Sequence, residues 1–158
     1  WFVDQVEIVA NADAEIESLN RINPLVTAAV DQRFADQVTG FTPQRDSLAT
    51  ITLTNYRPNK LTYQSKAATD QVALFSEVYY QPGWQATIDG KPVDHFRANW
   101  ILRGMRVPAG EHEIVFEFRP EGYVLAANIS AFSSCLILLL LLAGIGYSLY
   151  RQRIEKTE

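Results

Sequence analysis

The sequence predicts a mainly β protein: an antiparallel β-sandwich with a short N-terminal helix, followed by one transmembrane α-helix. Two observations carry this prediction. From about residue 48 to residue 118, short runs with β-type alternation are separated by turn signals roughly every 8–12 residues, which is typical of antiparallel sandwiches. From Gly122 to Tyr150 the chain then has 29 residues without a formal charge, too long and too apolar a stretch for a strand.

The N-terminal segment predicts one strand and one helix. Residues 1–9, WFVDQVEIV, alternate enough to form a strand. After it, apolar residues recur at helical spacing, namely Ile16, Leu19 and Ile22. We therefore expect a short helix over about residues 12–22, with Asn11 or Asp13 as its N-cap.

Pro24 ends this helix, because the residue before a proline is pushed out of the α region. Residues 26–31, VTAAVD, form a short run of β type. The polar stretch that follows, residues 31–47, is expected to be a loop.

From Leu48 onward the pattern predicts hairpins. Residues 48–56 and 61–66 alternate, and a polar turn with a proline separates them. Residues 71–80, QVALFSEVYY, are apolar on both faces, as expected of a central strand in a layered structure. A proline and a glycine at 82 and 83 stop this strand.

Two further hairpins are expected. Residues 84–89 and 92–98 flank Asp89-Gly90, a dipeptide that favours tight hairpin turns. Residues 100–107 and 111–118 flank a Pro-Ala-Gly turn. In the last strand three apolar side chains share one face, those of Ile114, Phe116 and Phe118.

The apolar segment divides the chain into three parts. We expect an outer domain over residues 1–121, a membrane helix over 122–150 and a tail over 151–158. A bilayer core of about 30 Å needs roughly 20 helical residues, and residues 127–149 supply them. Basic residues follow the helix directly, which favours a cytoplasmic tail and an outer domain on the opposite side. The alternative is a buried core helix of a soluble protein.

Composition limits the partners. Residues 1–121 contain 11 Lys/Arg against 16 Asp/Glu, a balance of about −5 that disfavours nucleic acid. The single cysteine, Cys135, lies in the predicted span, so the outer domain can form no internal disulfide. The chain starts at Trp1 with neither an initiator methionine nor a signal sequence, so we expect it to be a fragment of a longer chain.

One resemblance covers nearly the whole chain. Its main motifs lie in residues 76–120: Tyr-Tyr before Pro-Gly-Trp at 79–84, Ile-Asp-Gly-Lys at 88–91, Arg-Ala-Asn-Trp at 97–100 and Val-Pro-Ala-Gly-Glu-His at 107–112. These motifs, ahead of a Phe-rich strand and a membrane helix, resemble the extracytoplasmic C-terminal domain of the YfhO family of bacterial multi-pass membrane proteins.

The resemblance implies an activity for the parent protein and a cellular location for this chain. The family is similar to membrane glycosyltransferases that use a lipid-phosphate-linked sugar. Their acidic catalytic residue lies in an early outer loop, which this sequence does not contain. The resemblance therefore implies an accessory domain and a final helix in the bacterial inner membrane, on the periplasmic side. Partners would be the bilayer, the other helices of the parent chain, and an envelope glycan or lipid-linked sugar.

Five residues are predicted to contact carbohydrate or lipid: Tyr80, Trp84, Arg97, Trp100 and Arg103. Aromatic rings offer sugars a large contact area, and guanidinium groups suit phosphate or carboxylate. Each has a structural alternative. The aromatic residues, together with Tyr79, could instead fill the core ends. The arginines, together with Arg106, could pair with nearby acids on a solvated face.

The remaining polar residues predict no chemistry. Asp89 and Asp94 are close in sequence, but Asp89 has a local role in its turn. His95 and His112 lack the ligand spacing of a zinc site. We predict no catalytic residue, no metal site and no cofactor in this chain. The remaining hypotheses are an accessory domain of a glycosyltransferase-like protein, a carbohydrate-binding module on a single membrane span, and a purely structural domain.

Overall fold

A computed structural model describes residues 1–154 of the chain. The chain divides into two compact units, Trp1–Arg119 and the segment that begins at Pro120. The first unit contains all the strands described. The second contains the long apolar helix. Of the predicted tail 151–158, residues 155–158 lie outside the described residues.

Eleven strands are found within the described residues. They are β1 Phe2–Val3, β2 Gln5–Val9, β3 Thr27–Asp31, β4 Thr50–Arg57, β5 Lys60–Ala67, β6 Gln71–Val78, β7 Trp84–Ile88, β8 Lys91–Val93, β9 Phe96–Ala98, β10 Leu102–Val107 and β11 Gly110–Phe118. The helices are α1 Ala12–Ser18, a 3₁₀ helix Gln32–Gln37 and α2 Glu121–Ile154.

Two antiparallel sheets form the sandwich. One has the strand order β1-β6-β10-β9 and the other has the order β4-β5-β11-β7-β8. Their facing sides bury an aromatic cluster in which the Phe75 ring lies 4.8 Å from Tyr63 and 4.9 Å from Phe116, edge to face. Ile114 and Met105 complete this core and are fully buried. The predicted fold class is therefore confirmed.

Strand β6 is apolar on both faces, as predicted for a central strand. Ala73 and Phe75 belong to the sandwich core. Val72 and Leu74 point the other way, because side chains alternate along a strand, and they belong to a second buried cluster. The four-stranded sheet is therefore the middle of three layers in the first unit.

The third layer comes from the N-terminal residues. Strands β2 and β3 pair in parallel, with Gln5 opposite Thr27, and α1 connects them. Asn11 caps α1 by accepting a hydrogen bond from the Ala14 amide. The parallel pair needs a crossover connection, which α1 supplies.

The predicted helix is correct in kind but not in length or orientation. It ends at Ser18 rather than near residue 22, and the apolar Ile16 remains 42 % exposed. The buried side chains are those of Glu15 and Ser18. Helical periodicity failed here because the helix docks through a charged side chain instead of an apolar stripe.

Three local predictions are corrected by the strand pairing. The opening segment forms two short strands in different sheets, and residues 92–98 likewise divide into β8 and β9. Strands β10 and β11 are consecutive but do not form a hairpin, since β10 pairs with β6 and β9 while β11 pairs with β5 and β7. The chain crosses between the sheets at the Pro-Ala-Gly turn. The predicted loop 31–47 contains the 3₁₀ helix.

Helix α2 is long and apolar enough to cross a membrane. Its apolar stretch, Leu125–Tyr147, has 23 residues. None of the most apolar part of this stretch is buried within the protein. A core helix of a soluble protein would be covered, whereas this one exposes leucine around its whole circumference. The helix is a candidate membrane span.

Candidate functional site

The five predicted contact residues fall into two places in the first unit. Tyr80, Trp84 and Arg103 line one cleft. Arg97 and Trp100 instead lie against the N-terminal layer, where both contact Glu15. The cleft is the candidate site, and the second group has a structural environment of its own.

Arg103 is 1 % exposed, although it carries a full charge. Its guanidinium carbon lies 4.5 Å from the Trp84 ring centre and 4.5 Å from the Phe116 ring centre. Such stacking on two rings is favourable for a guanidinium. The Nη2 atom donates to the Val78 carbonyl at 3.1 Å, while Nε and Nη1 have no hydrogen-bond partner.

The charge on Arg103 is not balanced by an ion pair within residues 1–154. Burial lowers its pKa, and the nearby Glu77 carboxylate acts in the opposite direction. An arginine stays protonated under all ordinary conditions. Among the described residues, the structure therefore holds a buried cation that has no ion pair.

The cleft above this cation has a volume of about 390 Å³. Its walls come from the turn between β4 and β5, the end of β6, the start of β7 and the end of β11. The lining residues are Pro58, Glu77, Val78, Tyr80, Trp84, Arg103 and Phe118. The walls are thus mainly apolar and aromatic, with one cation and one carboxylate.

Local sequence features build these walls. Gly83 adopts a φ of 96°, which favours glycine, and its carbonyl accepts a hydrogen bond from the Arg119 amide at 2.6 Å. This contact holds the start of β7 against the end of β11, where the Trp84 and Phe118 rings lie 5.4 Å apart. Tyr80, just before the turn, is 53 % exposed.

An irregularity in strand pairing directs Arg103 inward. In the β6–β10 ladder the register shifts between Leu102 and Arg103, so that Leu102 lies opposite Val78 and Arg103 opposite Phe75. Such bulges commonly re-aim a side chain. Phe75 faces the sandwich core, so its cross-strand neighbour Arg103 does too.

Arg97 belongs to a buried ionic network. Its Nη2 atom lies 2.6 Å from Oε2 of Glu15 and 3.3 Å from Oδ2 of Asp31. Glu15 is fully buried and Asp31 is 2 % exposed. Arg33 adds a second cation at 2.9 Å from Asp31, and it lowers the pKa of that carboxyl. These contacts join α1 and β3 to β9.

The residues after Arg97 complete this junction. Asn99 and Trp100 both have positive φ, 50° and 69°. The Asn99 backbone amide donates to the Ala29 carbonyl and its side-chain oxygen accepts from the Ala29 amide, both at 2.8 Å. The Trp100 amide donates to Oε1 of Glu15 at 2.9 Å, and Trp100 as a whole is 45 % exposed. The Arg-Ala-Asn-Trp motif thus holds the third layer in place.

The aromatic residues and arginines considered in the sequence analysis therefore lie in several different places in the first unit. Tyr79 contacts Phe34 and His95 rather than Tyr80. Arg106 is exposed and stacks on Phe41 at 4.5 Å, away from the other two arginines. Of all these residues, Tyr80, Trp84 and Arg103 are the ones that share the candidate cleft.

Of the other polar candidates, Asp89 and His112 are partners of each other. Asp89 accepts from the Glu113 amide at 2.9 Å and lies 2.6 Å from Nδ1 of His112. This pairing lowers the pKa of Asp89 and raises that of His112. Within the described residues no group of three or more His, Cys, Asp or Glu side chains is arranged to hold a metal.

Sequence reasoning missed four residues of these environments. Glu77 and Phe118 line the cleft, and Glu15 and Asp31 hold Arg97. Phe118 carried a signal, because its alternation with Ile114 and Phe116 placed it on the inner face. The carboxylates carried none, because polar residues on a short helix or at the end of a strand are normally exposed.

The fold and the apolar helix define a β-sandwich protein with a candidate membrane anchor. A family model described as "Bacterial membrane protein YfhO" matches residues 34–130, more than half of the chain. The chain therefore belongs to the YfhO family of bacterial membrane proteins. The matched range includes all five predicted contact residues and the beginning of α2. Comparisons with curated proteins and with solved structures gave no match.

Proposed function

We propose that this chain is the C-terminal outer domain and last membrane helix of a polytopic, glycosyltransferase-like protein of the bacterial inner membrane. The outer domain lies on the periplasmic side and binds the phosphate-bearing part of a lipid-linked sugar or an anionic envelope glycan. It contributes no catalytic residue. Its role is to hold the ligand for the membrane part of the parent protein.

The burial of the Arg103 charge without an ion pair carries the proposal. A buried cation without an ion pair costs free energy, and an anion in the adjoining cleft would recover part of that cost. Guanidinium groups bind phosphate and carboxylate through several parallel hydrogen bonds. Nε and Nη1 of Arg103 are buried and have no hydrogen-bond partner, so the guanidinium retains hydrogen-bonding capacity for an anion that reaches it.

The aromatic residues support a sugar next to the anion. Tyr80 and Trp84 line the same cleft as Arg103. Aromatic side chains combine an apolar face with a polar edge, which suits a pyranose ring. Glu77 opposes an anion electrostatically, so it would keep the affinity moderate, as expected of a ligand that must be passed on.

The binding test uses glucose 1-phosphate and the full chain in phosphatidylcholine nanodiscs, followed by calorimetry. We expect saturable binding that weakens at least tenfold in Arg103→Met. Glu77→Gln should tighten binding a few-fold, because it removes a like charge from the cleft. Arg106→Met is the matched control, since Arg106 is an exposed arginine on a ring elsewhere in the domain.

Two results would contradict the proposed ligand. One is the absence of binding in the wild-type chain at millimolar glucose 1-phosphate. The other is equal binding in the wild-type and the Arg103→Met chains. Since Arg103 is buried, the melting temperature of each variant is measured alongside, and Glu77→Gln provides a second variant at a less buried position.

The proposed side of the membrane has its own test. A single cysteine is placed at exposed Lys91 in a chain whose Cys135 is replaced by alanine, and intact cells expressing the parent protein are treated with a maleimide that cannot cross the inner membrane. We expect labelling at position 91. Labelling only after the inner membrane is opened would place the domain in the cytoplasm.

A further inference from the structure

A second pocket shares Trp84 with the cleft at Arg103. Its volume is about 470 Å³, within the range of small-molecule sites. The lining residues are Phe34, Gln37, Tyr79, Gln81, Trp84, Gln85, Ala86, Thr87, Pro92, Val93, Asp94 and His95. The 3₁₀ helix, strand β7 and the link between β8 and β9 supply most of them.

Two polar atoms of this lining are buried and have no hydrogen-bond partner. They are Oε1 of Gln37 and Nε2 of His95. Buried polar atoms are nearly always paired, so each unpaired one needs an explanation. Here two occur on residues from distant parts of the sequence, and both residues line the same pocket.

His95 is an uncharged group in this position. Its ring lies 5.5 Å from the Tyr79 ring and 5.8 Å from the Phe116 ring. Burial among these rings, with the nearby Arg103 charge, lowers the pKa of His95 to about 4. At neutral pH the imidazole therefore exchanges hydrogen bonds as a neutral donor and acceptor, and it does not attract anions.

The rest of the lining is also unsuited to an anion. It contains three glutamines and one threonine, no lysine or arginine, and a single carboxylate, that of Asp94. Amides, hydroxyls and one carboxylate can each pair with hydroxyl groups, which donate and accept hydrogen bonds. The Trp84 and Tyr79 rings supply apolar area for the C–H face of a sugar.

We propose that this pocket is a binding site for an uncharged sugar residue. One hydroxyl of the sugar donates to Oε1 of Gln37, and another exchanges a hydrogen bond with Nε2 of His95. A ring in this position packs against Trp84. The site shares only Trp84 with the cleft at Arg103, called the anion cleft below. It does not require the anion cleft to bind phosphate.

The test uses uncharged probes: methyl α-glucopyranoside, methyl β-galactopyranoside and methyl N-acetyl-β-glucosaminide. The full chain is kept in lipid nanodiscs, because detergents with maltose headgroups would compete. In the wild-type chain, titration with at least one probe should shift the NMR signals of the Gln37 side-chain amide. The amide of exposed Gln64 on β5 should not shift.

The variants provide a second readout. Gln37→Leu and His95→Phe should each weaken binding of that glycoside at least tenfold, while His95→Gln, which keeps a polar group, should lose less. Gln64→Leu is the matched control and should bind normally. Failure of all three glycosides to shift Gln37 would overturn the proposal, as would unchanged affinity in folded Gln37→Leu and His95→Phe.

This result can be separated from the test of the anion cleft. The probes here carry no charge and the variants are at Gln37 and His95, whereas the anion test uses glucose 1-phosphate and Arg103. Each of the two proposals can therefore fail while the other stands.

Discussion

The two faces of the four-stranded sheet are buried by different means. On the face toward the other sheet, aromatic and aliphatic side chains such as Phe75, Phe116 and Met105 form the contact. On the opposite face, the apolar contact consists mainly of smaller residues such as Val72 and Ala98, and the buried ion pair of Glu15 with Arg97 accompanies it. The two layers that pack against this sheet therefore make contacts of different chemistry.

This difference shows that the interactions that drive burial of the sheet are not the ones that determine where α1 and β3 dock. Apolar contacts are non-directional, and the aromatic core stabilises the sandwich in proportion to the area that it buries. A buried ion pair adds little net stability, but removing one partner leaves a charge without compensation. We therefore expect the sandwich core to dominate the stability and the ionic network to determine how α1 and β3 dock.

The largest effect is expected in the sandwich core. Phe116→Ala removes a fully buried ring that contacts the rings of Phe75 and Tyr63. We expect a loss of about 3–5 kcal/mol in the free energy of unfolding. Urea denaturation of the full chain in nanodiscs measures it. A loss below that of any variant in the third layer would contradict the assigned dominance of the sandwich core.

The second largest effect on stability is expected in the ionic network of Glu15, Asp31 and Arg97. Glu15→Gln leaves Arg97 and the Trp100 amide with a neutral partner, and we expect a cost of about 2–3 kcal/mol, below the value for a fully buried pair because Arg97 is partly exposed. Hydrogen exchange should speed up in α1 and β3 more than in β6. Exposed Glu17→Gln is the matched control, and equal exchange changes in both variants would contradict the role of Glu15.

A smaller loss of stability is expected from overpacking on the face of the four-stranded sheet that contacts the third layer. Gly104 faces Phe96, and a Cβ atom at this position would lie 2.4 Å from the Phe96 ring. Gly104→Ala should cost about 2 kcal/mol through overpacking. The double variant Gly104→Ala/Phe96→Leu should be less destabilised than additivity predicts, because the smaller side chain relieves the clash. Strict additivity in urea denaturation would show that the two positions do not interact.

The last expected effects are those of the two histidines, which depend on pH and have opposite signs. The pKa of His95 falls from 6.5 to about 4 on folding, so the unfolded chain binds more protons between these values. Its contribution is therefore retained above about pH 6.5 and lost as the pH falls toward 4. His112 has a raised pKa, so its contribution is present below about pH 6.5 and lost as the pH rises through the folded-state value.

Melting temperatures between pH 4 and pH 8 test this prediction. His95→Phe should remove part of the acid sensitivity, and Asp89→Asn should remove the contribution that depends on His112, since Asp89 is the main cause of that raised pKa. If His95→Phe leaves the slope between pH 4 and pH 6.5 unchanged, His95 is not the buried neutral group described above.

Local patterns were sufficient for several elements. The turn Arg57–Lys60, the Asp89-Gly90 turn and the two-faced strand β6 all lie where alternation and turn chemistry predicted them. The apolar run predicted α2. These features depend on residues that are neighbours in the sequence, so the information needed to predict them is contiguous in the chain.

The position of Tyr80 and Trp84 in one cleft has a similar local basis. Tyr80 and Trp84 are near each other in sequence, so their shared cleft could be anticipated from the turn between them. Arg103 joins them through the β6–β10 register shift, which no local pattern records. The partners of Arg97 lie 82 and 66 positions away, beyond the range of any periodicity argument.

The sequence by itself determined which segments are extended, where several of the turns lie, and that one segment suits a lipid environment. Only the tertiary structure decided that β10 and β11 belong to different sheets, that α1 buries Glu15 rather than Ile16, and that Arg103 lies between two rings. The physical reason is that secondary structure follows from short-range sterics and solvation, whereas pairing and the burial of charge depend on groups that meet only when distant strands come together.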